Sequence, residues 1–449
     1  MGVDVSLGEE VDRISAADLT LLATDRGPAP MHLGALLVLD GAADDDGVPD
    51  ALVARAATVQ RLRQRLRRTP LGGGRPYWVE DPVVDLRGHV GRLVLPVGSG
   101  WQTMLDAAAD AVCTPLSREA PLWRAVWITG WDPTPACRGA LVVVLHHVLV
   151  DGLGGLLLLA RLADGAAPRV EPTQRDGDGA AAVPSPRDLH RDALRRRIAA
   201  TRSLSRSLRR TVHGIRELGL GGRRPALAAR TSLNRPTGAQ RRLAVVHVAL
   251  ADVVERAHGA GATVNDVVVA AVVGALETLL DRRGEHPRTL VVSVPISSRA
   301  PGEGGTGNHT GVLPVHVSTG ADPTARLAAV AAATAARRGD RRGSSAAPLG
   351  AAFRLLGRLG VFRLFVEHQR LVHTFETNVR GPAEPLQLAG HRIAAVLPVA
   401  TNPGNVGVSF DVISYAGRLL LTVVADPQLL HEPSELAGLL ATELGGCVL

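Results

Sequence analysis

The run Leu145-His146-His147-Val148-Leu149-Val150-Asp151-Gly152 joins an apolar strand to a Gly-rich turn and so gathers two imidazoles and a carboxylate. Histidine titrates near neutrality, and one held at the end of a rigid element can take a proton from a hydroxyl and return it later. Neighbours on a strand point to opposite faces, so only one of His146 and His147 can enter a given cleft while the other packs. Asp151 stands either for chemistry or as the N-cap of a helix predicted over 153–162. Gly152 and the glycines after it allow a tight reversal and close backbone approach.

A chain of 449 residues has room for two domains, and a cleft between two domains is a common substrate site. Hydrophobic residues make up 46% and charged residues 21%, the balance of a protein with a real core. Cys113, Cys137 and Cys447 show no metal-ligand spacing, and no metal site is expected. Residues 1–13 lack the basic and apolar regions of a secretion signal, so the expectation is a cytoplasmic protein with reduced thiols.

The chain contains no lysine, so its net charge of +7 is carried by arginine and does not titrate at physiological pH. Such a surface favours anionic partners such as CoA phosphates or lipid headgroups. With aromatics at 3%, the stacking platforms of a nucleic-acid binder are missing, and nucleic acid is not expected.

These residues need elements to position them. Hydrophobic spacing predicts helices at 16–23, 49–68 and 101–112, with strands at 32–39, 93–95, 122–129 and 140–147, a mixed α/β domain over 1–163. The segment 164–230 is a linker. Within it, Ser185-Pro186 opens a basic amphipathic helix in which Leu194, Ile198, Leu204, Leu208, Val212 and Ile215 recur at helical spacing. That stripe is expected to pack on the body, with the arginine face available to an anionic membrane or lipid surface.

A second α/β domain is expected over 231–449. Its strands are predicted at 242–248, 289–294, 312–317, 394–398, 406–412 and 419–424, and its helices at 251–258, 323–338 and 348–365. Thr263-Val264-Asn265-Asp266 opens a further helix that is apolar on every side and therefore buried. Asp266 fits a capping role, whereas Asn265 is free to face the cleft.

Taken together, the chain resembles the bacterial wax ester synthase/diacylglycerol acyltransferase family, within the superfamily of condensation domains and chloramphenicol acetyltransferase. Beside the His146-His147-x-x-x-Asp151-Gly152 run, the resemblance is carried in order by 30–34 (PMHLG), 121–123 (PLW), 264–266 (VND), 294–299 (VPISSR), 377–382 (TNVRGP) and 414–417 (SYAG). Arg124 and Arg380 depart from the family pattern, which often has an acidic residue and a proline there.

The resemblance implies two chloramphenicol-acetyltransferase-like α/β halves forming a pseudo-dimer with an interdomain tunnel. It implies an O-acyltransferase with acyl-CoA as co-substrate, no other cofactor, and a long-chain alcohol or diacylglycerol as hydroxylated lipid acceptor. His147 would be the general base and His146 a supporting residue. Asp151 would brace the turn, with Arg299 as partner, and Gly152 N–H or the Asn265 amide would receive the oxyanion. Peripheral association with the inner membrane face or lipid droplets accords with the basic helix. Two alternatives stand beside this reading: a same-fold enzyme using a carrier-protein thioester or a specialised-metabolite acceptor, and a non-catalytic lipid-surface protein.

Overall fold

The apolar runs that flank the histidine pair become the central strands of a six-stranded sheet, and the second half of the chain builds a seven-stranded one. The structure is a computed structural model that describes residues 11–25, 27–41, 47–81, 83–131, 137–150, 152–165, 183–202, 227–297, 310–338, 353, 356, 359–402 and 404–449.

The first half contains α1 (Ala16–Thr24), β1 (His32–Asp40), α2 (Gly47–Thr58), α3 (Gln60–Arg63), β2 (Gln64–Arg67) and β3 (Tyr77–Glu80). After these come β4 (Val90–Ser99), α4 (Trp101–Cys113), β5 (Trp123–Trp131), β6 (Cys137–His146) and α5 (Gly152–Leu162), and then α6 (Pro186–Arg202). The second half supplies β7 (Arg242–Ala249), β8 (Thr289–Ser297), β9 (Thr310–Ser318), β10 (Thr374–Arg380), β11 (Gln387–Leu388), β12 (His391–Ala400), β13 (Val408–Tyr415), β14 (Arg418–Ala425) and β15 (Cys447–Val448).

Strand order is β11-β12-β1-β6-β5-β4 in the first sheet and β15-β7-β14-β13-β10-β8-β9 in the second. The 231–449 segment thus lends β11 and β12 to the first sheet, where β12 runs antiparallel to β1 with Leu33 opposite Ala400. Tyr415 fastens the loan: its hydroxyl donates to the Ile393 carbonyl at 2.9 Å and accepts the Leu386 N–H at 2.8 Å. One apolar core consequently runs from β1 and β6 onto Leu243, Val245, Ile413 and Leu420 of the second sheet. A second core fills the other side of that sheet.

The helix Val264–Arg282 lies in this second core with Val267 to Leu276 buried, as its all-round apolar sequence requires. Thr263 and Asp266 close a capping box at its start, so Asp266 does cap the helix. Among the described residues no single helix is long and apolar enough to cross a membrane.

Three sequence expectations need correction; in the first, the helix expected over 348–365 is interrupted by a turn at Leu359-Gly360, where Gly360 takes a φ of 74°, and a short helix follows at Phe362–Glu367. The helix expected over 49–68 stops at Thr58: Val59 is extended, and Gln64–Arg67 forms β2, pairing with β3 so that Leu66 lies opposite Trp78. Pairing with the aromatic β3, which buries Gln64 and half-buries Leu66, outweighs the helical propensity of this Arg-, Leu- and Gln-rich stretch. In α6 the face that packs is Leu189 and Ala193, at 3% and 4% exposure, whereas Leu194 and Ile198 are 57% and 46% exposed. Arg13 sets this rotation by donating to the Leu189 carbonyl and to Asp192, which brings Gly74 against Ala193. Residues 203–215 of the expected stripe lie outside the described residues. The helix Pro433–Leu444 and strands β3, β10, β11 and β15 had no counterpart among the expectations.

Candidate active site

β6 carries the histidine pair at its C-terminal end, held on one side by β1, where His32 pairs with His146, and on the other by β5. The His146 N–H donates to the Leu122 carbonyl and the His147 N–H to the Met31 carbonyl, both at 2.9 Å. The Pro30–Gly34 and Pro121–Trp123 segments thereby grip successive peptide groups of the pair.

The two imidazoles have different environments. That of His146 is 2% exposed; its Nδ1 accepts the Val148 N–H at 3.1 Å, so Nε2 carries the proton that it donates to Asp25 Oδ2, also at 3.1 Å. His147 is half-buried. It is therefore the histidine left accessible at the end of the strand.

Asp25, at the C-cap of α1, was not singled out from the sequence. Its Oδ1 accepts the Met31 N–H at 3.0 Å, and Arg118 donates to its Oδ2 at 2.6 Å and to its carbonyl at 3.1 Å. Burial pushes this carboxyl up, but the His146 hydrogen bond, the Met31 N–H and Arg118 outweigh it and hold it at about 2. His32 donates from Nδ1 to the Val112 carbonyl at 2.8 Å, and burial lowers its imidazole to about 4 against that bond, so the ring is neutral. The His32 and His146 rings meet edge to face with centroids 5.9 Å apart, and with Asp25 and Arg118 they line a cavity of about 180 Å³.

The second half reaches the same place through the end of β12. Thr401 Oγ1 accepts the His32 N–H at 3.1 Å and donates to the Pro30 carbonyl, and the Ala400 N–H donates to Asp411 Oδ2 at 2.7 Å. α5, which continues from the motif turn, packs on β10. Asn265, half-buried in the first turn of the Val264–Arg282 helix, faces the fully buried carboxyl of Glu376 on β10.

His146, His147 and Asn265 are thus placed, and Gly152 begins α5. Asp151 and Arg299 lie outside the described residues. Thr401, Asp411 and Glu376, like Asp25, escaped the sequence reading. An acid just before the Pro30-Met31-His32 segment was a local hint for Asp25, yet its partner His146 is 121 positions away. Arg124, one of the departures from the family pattern, donates to the Ala111 and Thr114 carbonyls and completes the C-terminal end of α4.

Comparison with known proteins identifies the family and the fold. Residues 14–268 match the wax ester synthase/diacylglycerol acyltransferase catalytic domain, and residues 306–446 match the C-terminal domain of the same family. A probable diacylglycerol O-acyltransferase of Mycobacterium tuberculosis is 30% identical over 442 residues, spanning 96% of this chain and 90% of that protein. Among solved structures, the wax ester synthase/diacylglycerol acyltransferase of Marinobacter aquaeolei VT8 superposes with a TM-score of 0.68 at 21% identity, covering 97% of this chain and 98% of that one. The first condensation domain of the CDA synthetase gives 0.61 at 19% identity, with 97% of each chain covered. The fold is accordingly the two-halved chloramphenicol-acetyltransferase-like one, and the chain belongs to the wax ester synthase/diacylglycerol acyltransferase family of O-acyltransferases.

Proposed function

We propose that the protein transfers an acyl group from acyl-CoA to the hydroxyl of a long-chain alcohol or a diacylglycerol, with His147 as general base. The observation that carries this reading is the asymmetry in burial of the pair: the His146 ring is 2% exposed, while His147 is half-buried on a backbone whose N–H is held by the Met31 carbonyl. His147 takes the acceptor O–H proton as that oxygen attacks the thioester carbonyl. The tetrahedral intermediate then collapses, the C–S bond breaks, and the imidazolium returns the proton to the CoA thiolate.

The intermediate's oxyanion needs a donor, and loss of such a donor typically costs about 3 kcal/mol of transition-state stabilisation. The Gly152 N–H and the Asn265 amide are the candidates, with substrates meeting in a tunnel between the halves. Asp151 braces the turn through Arg299 in this reading. The names of the curated relatives support diacylglycerol as acceptor.

The deciding experiment follows thiol release from palmitoyl-CoA against hexadecanol, diacylglycerol and short alcohols, with His147→Ala as blank. Acceptor-dependent release by the wild type and none by the variant is expected. Undiminished turnover by a folded His147→Ala protein overturns the base assignment. Release only from an acyl carrier protein moves the donor to the carrier-thioester reading, which the condensation-domain fold supports.

Peripheral association with an anionic lipid surface forms part of the same proposal. Leu71 is fully exposed and Leu194 of α6 is exposed, and His190 and Arg197 of that helix hold the Leu71 and Gly72 carbonyls. An apolar tip amid arginines suits a headgroup layer. Co-sedimentation with anionic but not zwitterionic vesicles, weakened in Leu71→Ser/Leu194→Ser, is the expected result. The non-catalytic alternative ends with membership of an enzyme family.

A further inference from the structure

Glu376 sits in the middle of the second sheet at 0% exposure, and neither of its carboxyl oxygens closes a hydrogen bond of normal geometry among the described residues. The parallel register sets it beside Phe410 of β13, on the side of the sheet that the Val264–Arg282 helix covers. From that helix Asn265 and Asp266 face it, and Asp411 acts on it from β13. β8 brings no titratable side chain, and α5, which also packs on β10, carries its one charge, Arg161, in its last turn. Asp266 is already bound to Thr263 and Thr334.

Among the described residues no cation is set against this carboxyl; burial first, and then Asp411, whose own carboxyl burial raises to about 7, push it up to about 8, with Asn265 opposing. At neutral pH Glu376 is a carboxylic acid with an O–H to give. A buried acid this close to one amide dictates which way the amide points. As a neutral acid it can donate to Asn265 Oδ1 and leave the Nδ2 protons for other acceptors. As a carboxylate it only accepts, and would draw Nδ2 toward itself and turn Oδ1 outward.

We propose that Glu376 is a positioning residue, whose protonated carboxyl holds the Asn265 amide with its N–H groups directed into the interdomain site. This rests on the acyl-transfer reading above, in which that amide receives the tetrahedral oxygen. Ionised Glu376 presents an oxygen where a donor is required, so turnover falls on the alkaline side while ground-state binding of acyl-CoA is spared.

The test compares wild type, Glu376→Gln, Glu376→Leu, Asn265→Ala and the double variant Glu376→Leu/Asn265→Ala, using palmitoyl-CoA with the best acceptor between pH 6.5 and 9.5. In the wild type, kcat is expected to decline as pH rises through about 8. Glu376→Gln, which keeps an N–H donor at every pH, should lose that decline. Glu376→Leu should lower kcat by at least about tenfold with KM little changed, and the double variant should be no worse than Asn265→Ala. Independent, multiplying losses, or a folded Glu376→Leu with wild-type kcat, overturn the proposal; if Glu376→Leu does not fold, the Glu376→Gln pH profile decides.

A second arm needs no turnover. Infrared difference spectra should show a protonated-carboxyl C=O band that vanishes above pH 8, is absent in Glu376→Gln and shifts in Asn265→Ala. A wild type that transfers no acyl group defeats the acyl-transfer reading while this band still reports on the pair. A band indifferent to Asn265→Ala defeats the positioning role itself.

Discussion

The Asp25 carboxylate holds both histidines of the pair, one by each oxygen. Oδ2 takes the Nε2 proton of His146, and Oδ1 takes the N–H of Met31, whose carbonyl in turn holds the N–H of His147. Replacing it by alanine leaves a buried Nε2–H and a main-chain N–H unpaired and leaves Arg118 only the residue-25 carbonyl there. Asp25→Ala is expected to lose about 2–3 kcal/mol in urea unfolding, because hydrogen bonds to a charged group are involved. It should also lower kcat, since His147 loses its fixed backbone. Asp25→Asn keeps one acceptor and should fall between; equal activity of all three proteins would show that the grip on Met31 does not reach His147.

The two histidines should separate by readout. His146→Ala removes a buried ring with two partners and is expected to cost about 2–4 kcal/mol of stability. His147→Ala removes a half-buried ring and should change stability by less than about 1 kcal/mol while abolishing transfer. Circular dichroism melts beside the thiol-release assay measure both, and a reversed pattern would exchange the two roles.

Tyr415 acts at a distance from the chemistry. Its buried hydroxyl joins the Leu386 N–H to the Ile393 carbonyl and so pins the strand that crosses from one sheet to the other. Tyr415→Phe is expected to lose about 1–2 kcal/mol while keeping kcat at temperatures below its transition. A kcat loss without a stability loss would mean that this end of β12 takes part in the site.

Acid should unfold the protein through its neutral histidines. Burial lowers both His32 and His373 to about 4, below the ordinary value of 6.5. The unfolded chain therefore takes up these protons first, and the stability they confer is full above pH 6.5 and lost as pH falls from there through 4. Urea midpoints recorded from pH 7.5 down to 4.5 should fall, and more gently in His32→Asn, whose amide can still donate to the Val112 carbonyl. Asp25 adds its own loss only below about pH 4, because its folded value is near 2. A midpoint independent of pH over 6.5 to 4.5 would contradict the buried neutral state of His32.

Local pattern made some of this legible and not the rest. The β1, β6 and Pro323–Arg338 segments announce themselves by apolar periodicity, and the Thr263–Asp266 box by its spacing, because each signal lies within a few residues. The strand β12 was visible as a strand but not as a member of the first sheet, since its partner β1 is more than 350 residues earlier. Asp25, Thr401 and Glu376 acquire their meaning only from such long-range pairing. The stripe of α6 misled because Leu194 and Ile198 repeat at the right interval, while close approach of the Gly74 loop selects the smaller Ala193.

Gly34 shows how tightly that long-range pairing is built. It lies in β1 between Val399 of β12 and Val144 of β6, and α4 crosses above it through Val112. A Cβ at this position would come within 2.4 Å of Val112 Cγ2 and 3.3 Å of the Val399 carbonyl oxygen. Gly34→Ala is therefore expected to destabilise the protein by about 1–3 kcal/mol, the usual result of overpacking. Since the severe contact is with a side chain and the milder one with backbone, Val112→Ala in the same protein should recover part of the loss, although Val112→Ala alone is destabilising. Thermal melts of the two single variants and the double variant test this directly. Additive losses would mean that β1 or α4 shifts to make room, and the His32–Val112 hydrogen bond, which joins the same two elements, would then be the first contact to inspect.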